Sequence, residues 1–330
     1  MSDVFRIGRR AALAGAGGLA VLARPGLVQA QERKFTIATG VDPSFSAFYV
    51  AKGGGIFQKH GLDITVNTGP SGSAMVAFVV NAQVVSAYGA EQAGILNHNL
   101  DQNVVVVADG TTLVRWYGLV GNAQVTTLDQ LKGKRIGIAR GSGSEVFWLE
   151  VIRHKGLNPS DYRIVQVEAP EMVAALERGN IDAFSAWEPW LTRAVGSVRG
   201  ANIFQDSVGI LEGKCFVYMN KGWIQRNQDS ALAYMRALVE ATELINNDRP
   251  QAAKLVSDFL RLDLGLTTTL MPKLAYHMKM GEDGLNNFKI AENQLRGMNR
   301  LRREVSWRDF FYPDLLRQVS PAEVTLQLTS

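Results

Sequence analysis

RIGIARGSGSEVFWLEVIRHKGL, residues 135–157, passes from a short apolar run through a glycine- and serine-rich turn into an amphipathic stretch. The pattern predicts a strand over 135–139 and a helix over 143–155, the repeating unit of an open α/β sheet. A P-loop requires Gly-Lys followed by a hydroxyl residue, and no such lysine is present. The dinucleotide fingerprint also fails, since Gly141 and Gly143 fit but Val146 takes the third place. What the turn offers is hydroxyls and free N–H groups at a helix start, suited to an anion or a carbonyl oxygen. DITVNTGPSGSAMVAF, from Asp63, repeats the design with Ser71, Gly72 and Ser73, against Ser142, Gly143 and Ser144 in the first stretch. Each serine equally suits an N-cap. Repetition on the strand ends of two adjacent units points to a ligand, because open sheets bind ligands there.

Moving outward, KFTIATG, LDITVNT and VVVVAD read as strands, with SAFYVAKGGGIFQKHG and SAMVAFVVNAQ as helical segments between them. After TTLDQLKGKRIGIA the order restarts with strands RIVQVE, IDAFSAW and NIFQD and helices PEMVAALERG and EPWLTRAV. Such βαβα order predicts two mostly parallel sheets flanked by helices. KCFVYMN carries the chain back, and from Gln228 onward the sequence reads as nearly all helical, punctuated by Pro250, Pro272 and Pro313. The expected organisation is 31–115 for the first part of lobe 1, 116–216 for lobe 2, and 217–330 for the rest of lobe 1 with C-terminal helices. The crossings are expected near 112–120 and 212–221.

Residues 1–30 are set apart as an export signal. Arg9-Arg10 precede a thirteen-residue apolar run, and Val28-Gln29-Ala30 form a small-residue cleavage pattern, giving cleavage near Ala30. GRRAAL resembles a twin-arginine signal. The run is shorter than the ~20 residues that span a bilayer. The formal charge is +4, of which these thirty residues hold +3, so the remainder carries +1 and makes no electrostatic case for nucleic acid. One cysteine, Cys215, excludes an internal disulfide.

Catalytic chemistry is thinly represented. His60, His98, His154 and His277 are scattered without metal-ligand spacing, and no G-x-S-x-G frames a serine. Glu145 and Glu150 fit solvated helix faces. Neither a metal nor a cofactor is expected.

AKGGGIFQKHGLDITV, GPSGSAMVAFV, LDQLKGKRIGIARGSGS and AALERGNIDAFSAWEPWL, in that order, resemble the extracytoplasmic solute-binding proteins of ABC importers. The branch resembled handles taurine, alkanesulfonates, nitrate and thiamine-precursor pyrimidines. Gly53-Gly54-Gly55 depart from more polar residues usual at that place, which bears on helix stability. The resemblance implies a two-lobed, type II-like periplasmic-binding-protein fold with two hinge crossings, closing on a solute. It implies a monomer in the periplasm that hands its solute to a membrane permease and its ATPase. Ser71, Gly72 and Ser73 then form one half of the ligand site, and Ser142, Gly143 and Ser144 the other.

Phe45 and Tyr49 are candidate walls, although Phe48 and Tyr49 equally suit the core of the first helix. Arg140 offers charge to a sulfonate or carboxylate, or is a solvated strand-end arginine. In SAWEPW, Trp187 can cover an apolar solute body or simply pack, and Glu188 can meet an amine or complement a helix dipole; Trp190 reads as core. Glu91, ending the AYGAEQ strand, is similarly placed. An organosulfonate such as taurine fits Arg140, Trp187 and Glu188 together. Two other readings are an enzyme akin to a thiamine-pyrimidine synthase, disfavoured by the solitary Cys215, and a ligand-sensing module for a receptor.

Overall fold

The computed structural model describes residues 32–328, so the expected export signal and its cleavage point lie outside the described residues. In chain order the strands are β1 (Lys34–Thr39), β2 (Asp63–Thr68), β3 (Ser86–Gly89), β4 (Val104–Leu113), β5 (Tyr117–Gly121), β6 (Arg135–Ile138), β7 (Arg163–Gln166), β8 (Ala183–Trp187), β9 (Asn202–Asp206), β10 (Gly213–Asn220) and β11 (Leu274–Lys279). They form two sheets, ordered β11-β4-β10-β3-β1-β2 and β7-β6-β8-β5-β9. Helices α1 (Ser46–Gly53), α2 (Ile56–Lys59), α3 (Gly72–Val76) and α4 (Glu91–Leu100) belong to the first sheet's run. Then α5 (Gly143–Lys155), α6 (Ala169–Glu177) and α7 (Trp190–Ser197) belong to the second.

Both sheets are mixed. β1 runs parallel to β2 and β3, and β6 runs parallel to β7 and β8. The strands next to the crossings run against their neighbours: β10 is antiparallel to β3 and β4, and β5 to β8 and β9. A chain that leaves a sheet and returns to it brings in strands without a βαβ crossover, so they need not be parallel. The chain changes sheet between Leu113 and Tyr117 and again between Asp206 and Gly213. Gly213 through Phe216, expected in the second lobe, therefore pair within the first sheet, opposite Leu113 through Asp109.

The C-terminal third is less uniformly helical than expected. LAYHMK forms β11, pairing Leu274 with Leu113 and Tyr276 with Thr111. Its alternating burial marks a strand with one covered face, and pairing with the buried β4 overrides the helical surroundings. The long helix α8 (Gln228–Asn247) covers the first sheet, placing fully buried Tyr234 against Phe35, Phe48 and Phe57. Burying each such ring contributes ~1.5–3 kcal/mol.

Helix α5 follows the sequence closely. Ser142 caps its start, and Arg153, His154 and Lys155 occupy its last turn, where the helix dipole favours cations. Gly156 ends it with φ of 62°, and the N–H of Leu157 reaches the Ile152 carbonyl at 2.9 Å, a left-handed stop that glycine takes without strain. Among the described residues no helix is long and apolar enough to cross a membrane.

Candidate functional site

The strand ends of both sheets converge at the two crossings. From the first lobe come the loop after β1 with Asp42, Ser44 and Phe45, and the turn after β2 with Ser71, Gly72 and Ser73. From the second come Trp116 and Tyr117 at the start of β5, Ser142 and Gly143 after β6, and Trp187 closing β8. Leu113 and Cys215, on the strands that border the crossings, complete a cavity with Ala90. Its walls lie close together: about 20 Å³ is open to the centre of a water-sized sphere, room for a water or so.

Local chemistry fixes each wall. Asp42 caps the short turn Pro43–Phe45: its Oδ1 accepts the Ser44 N–H at 2.9 Å and the Ser44 hydroxyl. Its Oδ2 accepts the Trp187 indole N–H at 2.9 Å, joining the two lobes across the cavity. Burial outweighs these three donors and pushes the Asp42 carboxyl up to about 6. Ser71 and Ser142 act as caps while lining the cavity. Ser71 Oγ accepts the Ala74 N–H at 3.0 Å, and Ser142 Oγ accepts the Ser144 N–H at 3.2 Å while donating to the Ala139 carbonyl at 2.7 Å. The capping and ligand-site readings thus describe the same atoms.

Three polar groups on the walls remain unengaged. The Ser73 hydroxyl, the Trp116 indole N–H and the Tyr117 hydroxyl make no hydrogen bond to any described residue. Tyr117 is 4% exposed and stacks on Phe147, with ring centroids 5.9 Å apart. Its hydroxyl occupies space that only a glycine leaves at 143, where a Cβ would lie 2.2 Å away. Burial, reinforced by the nearby charges of Asp42 and Glu91, pushes the Cys215 thiol well above its ordinary value. It is therefore held as a thiol, whereas nucleophilic cysteines need the thiolate.

Of the residues singled out from sequence, Phe45, Ser71, Gly72, Ser73, Ser142, Gly143 and Trp187 meet at this cavity. Five lie elsewhere. Tyr49 is core: its hydroxyl donates to the Gly40 carbonyl at 2.6 Å and its ring stacks on Phe259. Ser144 is sealed behind the turn, donating to the Ser185 carbonyl at 2.6 Å. Glu91 accepts the Lys214 N–H at 3.0 Å away from the cavity. Glu188 is bound by Lys273 at 2.7 Å and by the Thr192 N–H at 3.0 Å, so no amine is needed to satisfy it.

Arg140 is exposed, beside Ile138, Glu145 and Trp148 in a separate groove, because the left-handed turn at Gly141 carries the chain past the cavity only after it. Asp42, Ser44, Trp116, Tyr117 and Cys215 escape sequence reasoning as site residues. Asp-Pro-Ser in 42–44, a turn signature at a strand end, is the one local signal that points to any of them.

Glu145 and Glu150, expected on solvated faces, are buried links between lobes. Glu145 holds Arg300 at 2.7 Å, and Glu150 accepts from Gln294 at 2.7 Å.

Residues 33–260 match the NMT1-like family, well over half of the chain. The chain belongs to that family. Two curated relatives of this NMT1-like protein are described as putative aliphatic sulfonates-binding proteins. The one from Escherichia coli (strain K12) is 24% identical over 43% of this chain and 44% of its own length. The one from Bacillus subtilis (strain 168) is 25% identical over 69% of this chain and 70% of its own. Among solved structures, the periplasmic aliphatic sulphonate binding protein from Escherichia coli superposes with a TM-score of 0.73 at 16% identity, covering 86% of this chain and 98% of that one. A desulfurization enzyme shares the fold, with a TM-score of 0.67 at 15% identity over 88% of this chain and 99% of its own. The NMT1-like chain therefore has the two-lobed periplasmic-binding-protein fold, an architecture that receptors and at least one enzyme employ.

Proposed function

We propose that this protein is the extracytoplasmic solute-binding component of an ABC importer, capturing one small solute between its lobes and delivering it to a permease driven by an ATPase. The observation that carries this reading is the convergence of seven sequence-predicted residues from both lobes on one cavity beside the two crossings. Hinged lobes that meet around a pocket form a trap, and its closure is what a permease can sense. The aliphatic sulfonates-binding relatives support an organosulfonate of taurine-like size as the solute. Export behind residues 1–30, cleavage near Ala30 and a monomer in the periplasm complete the proposal.

Against an enzymatic role, the cavity's cysteine is held as a thiol and, among the described residues, no histidine, lysine or arginine lines the cavity. The fold shared with a desulfurization enzyme makes chemistry the alternative to test. A thermal-shift panel of taurine, alkanesulfonates, nitrate, bicarbonate, aromatic carboxylates and pyrimidines identifies the solute class. A solute at 100 times its Kd stabilises by ~2.7 kcal/mol. The stabilising compound is then released by denaturation and weighed. An unchanged mass supports the receptor, and a converted product refutes it.

A further inference from the structure

Asp42 is 2% exposed, lines the cavity, and has no cationic side chain beside it there. A carboxylate offers about four acceptor positions, and Asp42 fills three: two with Ser44 on Oδ1 and one with Trp187 on Oδ2. Its open position is therefore on Oδ2, the oxygen that faces the second lobe's Trp187. The other titratable groups near Asp42 are Tyr49, Tyr117, Tyr276 and Cys215, which burial keeps neutral. Its charge at neutral pH has no counter-ion among the described residues, and a buried charge is costly unless paired. Around it stand Phe45, Trp116, Tyr117 and Trp187, whose ring faces attract cations. On the same walls the hydroxyl of Tyr117, a residue 4% exposed, makes no hydrogen bond to a described residue and can donate to an acceptor.

We infer that the solute presents a positively charged, N–H-donating nitrogen to Asp42 and an acceptor oxygen or nitrogen to Tyr117. This rests on the receptor reading and narrows it. A solute that is only an anion would meet the Asp42 carboxylate with no cation to offset it. Nitrate, bicarbonate and simple alkanesulfonates are therefore poor ligands, and an aminosulfonate qualifies through its ammonium group. The amine role expected for Glu188 passes to Asp42, because Glu188 already holds Lys273.

The test is calorimetry near pH 7.5 with matched pairs that differ only in the nitrogen: taurine against isethionate, and β-alanine against 3-hydroxypropanoate. The inference expects at least one amine to bind tenfold or more tightly than its hydroxyl partner, and Asp42→Asn to abolish that difference. It is overturned if no amine binds, if a hydroxyl partner or nitrate binds as tightly as the amines, or if a folded Asp42→Asn protein keeps the preference. Should Asp42→Asn fail to fold, the wild-type pairs alone decide. Tight binding of nitrate or isethionate would sink the inference yet leave the receptor standing, whereas recovery of a chemically altered amine would sink the receptor.

Discussion

Lys273, just before β11 in the first lobe, reaches 2.7 Å to the carboxylate of Glu188, which follows β8 in the second. Glu188 is 2% exposed, so this pair ties the lobes together through a buried charge. Removing Lys273 leaves Glu188 with the Thr192 N–H as its remaining partner in the closed arrangement, while opening the cleft would hydrate it. Because the lysine is partly exposed, we set the penalty on closure at about 1–3 kcal/mol. Lys273→Met is expected to weaken solute binding by roughly 5- to 150-fold and to enlarge the radius of gyration in small-angle scattering. Unchanged affinity and size would mean that the pair does not control closure.

Gly143 leaves no room for a side chain. An alanine there would bring its Cβ 2.2 Å from the Tyr117 hydroxyl and 2.6 Å from the ring carbon that bears it. Tyr117 is held by its stacking on Phe147 and cannot give way freely. Gly143→Ala should destabilise by ~1–3 kcal/mol, the usual cost of overpacking, and lower affinity as well. Adding Tyr117→Phe should restore part of the stability but not the binding. Urea unfolding and calorimetry on the three variants distinguish the two effects.

Two buried carboxyls predict how stability changes with pH. Burial raises Asp42 from 3.8 to about 6 and Glu91 from 4.5 to about 7. Between each pair of values the native state binds more protons than the unfolded chain, so stability falls as pH rises, each group removing about 1.4 kcal/mol for every pH unit crossed. Asp283 acts in the opposite sense at low pH. Burial opposes its ionisation, but hydrogen bonds from Lys279 and Lys214 hold it well below the usual carboxylate range, so its contribution is lost on acidification below about pH 4. The solute-free protein should lose unfolding free energy from pH 4.5 to pH 7. Glu91→Gln should flatten that slope up to about pH 7, and Asp42→Asn should flatten it up to about pH 6. A slope unaffected by both substitutions would contradict the account.

Arg140 supplies a control. It is exposed and outside the cavity, its backbone N–H donating to Gln166 at 3.0 Å. Arg140→Ala should change solute affinity less than twofold. A tenfold loss would return the anion-binding role to this residue.

The limits of sequence reading follow from where each signal is encoded. β6, the Ser142 turn and α5 are legible because an apolar run, a glycine- and serine-rich turn and a capped amphipathic helix are local patterns within twenty-odd residues. β11 is not legible, since LAYHMK becomes a strand by pairing with β4 some 160 residues earlier. Arg140 is misplaced by a single position: it and Ser142 flank Gly141, and the left-handed turn there sends one to the groove and the other to the cavity. Asp42 gains its meaning from Trp187 in the other lobe, and Tyr117 from Gly143 on a separate strand-end turn of its own lobe, and no spacing along the chain encodes either meeting.

Native mass spectrometry with the tightest-binding member of the solute panel tests the central claim, that one solute is held between the lobes and left chemically unchanged. The account predicts a single addition per chain that survives gentle ionisation, is recovered at its original mass after denaturation, and is lost together with affinity in Gly143→Ala. Multiple weak additions, or recovery of the compound at an altered mass, would contradict it.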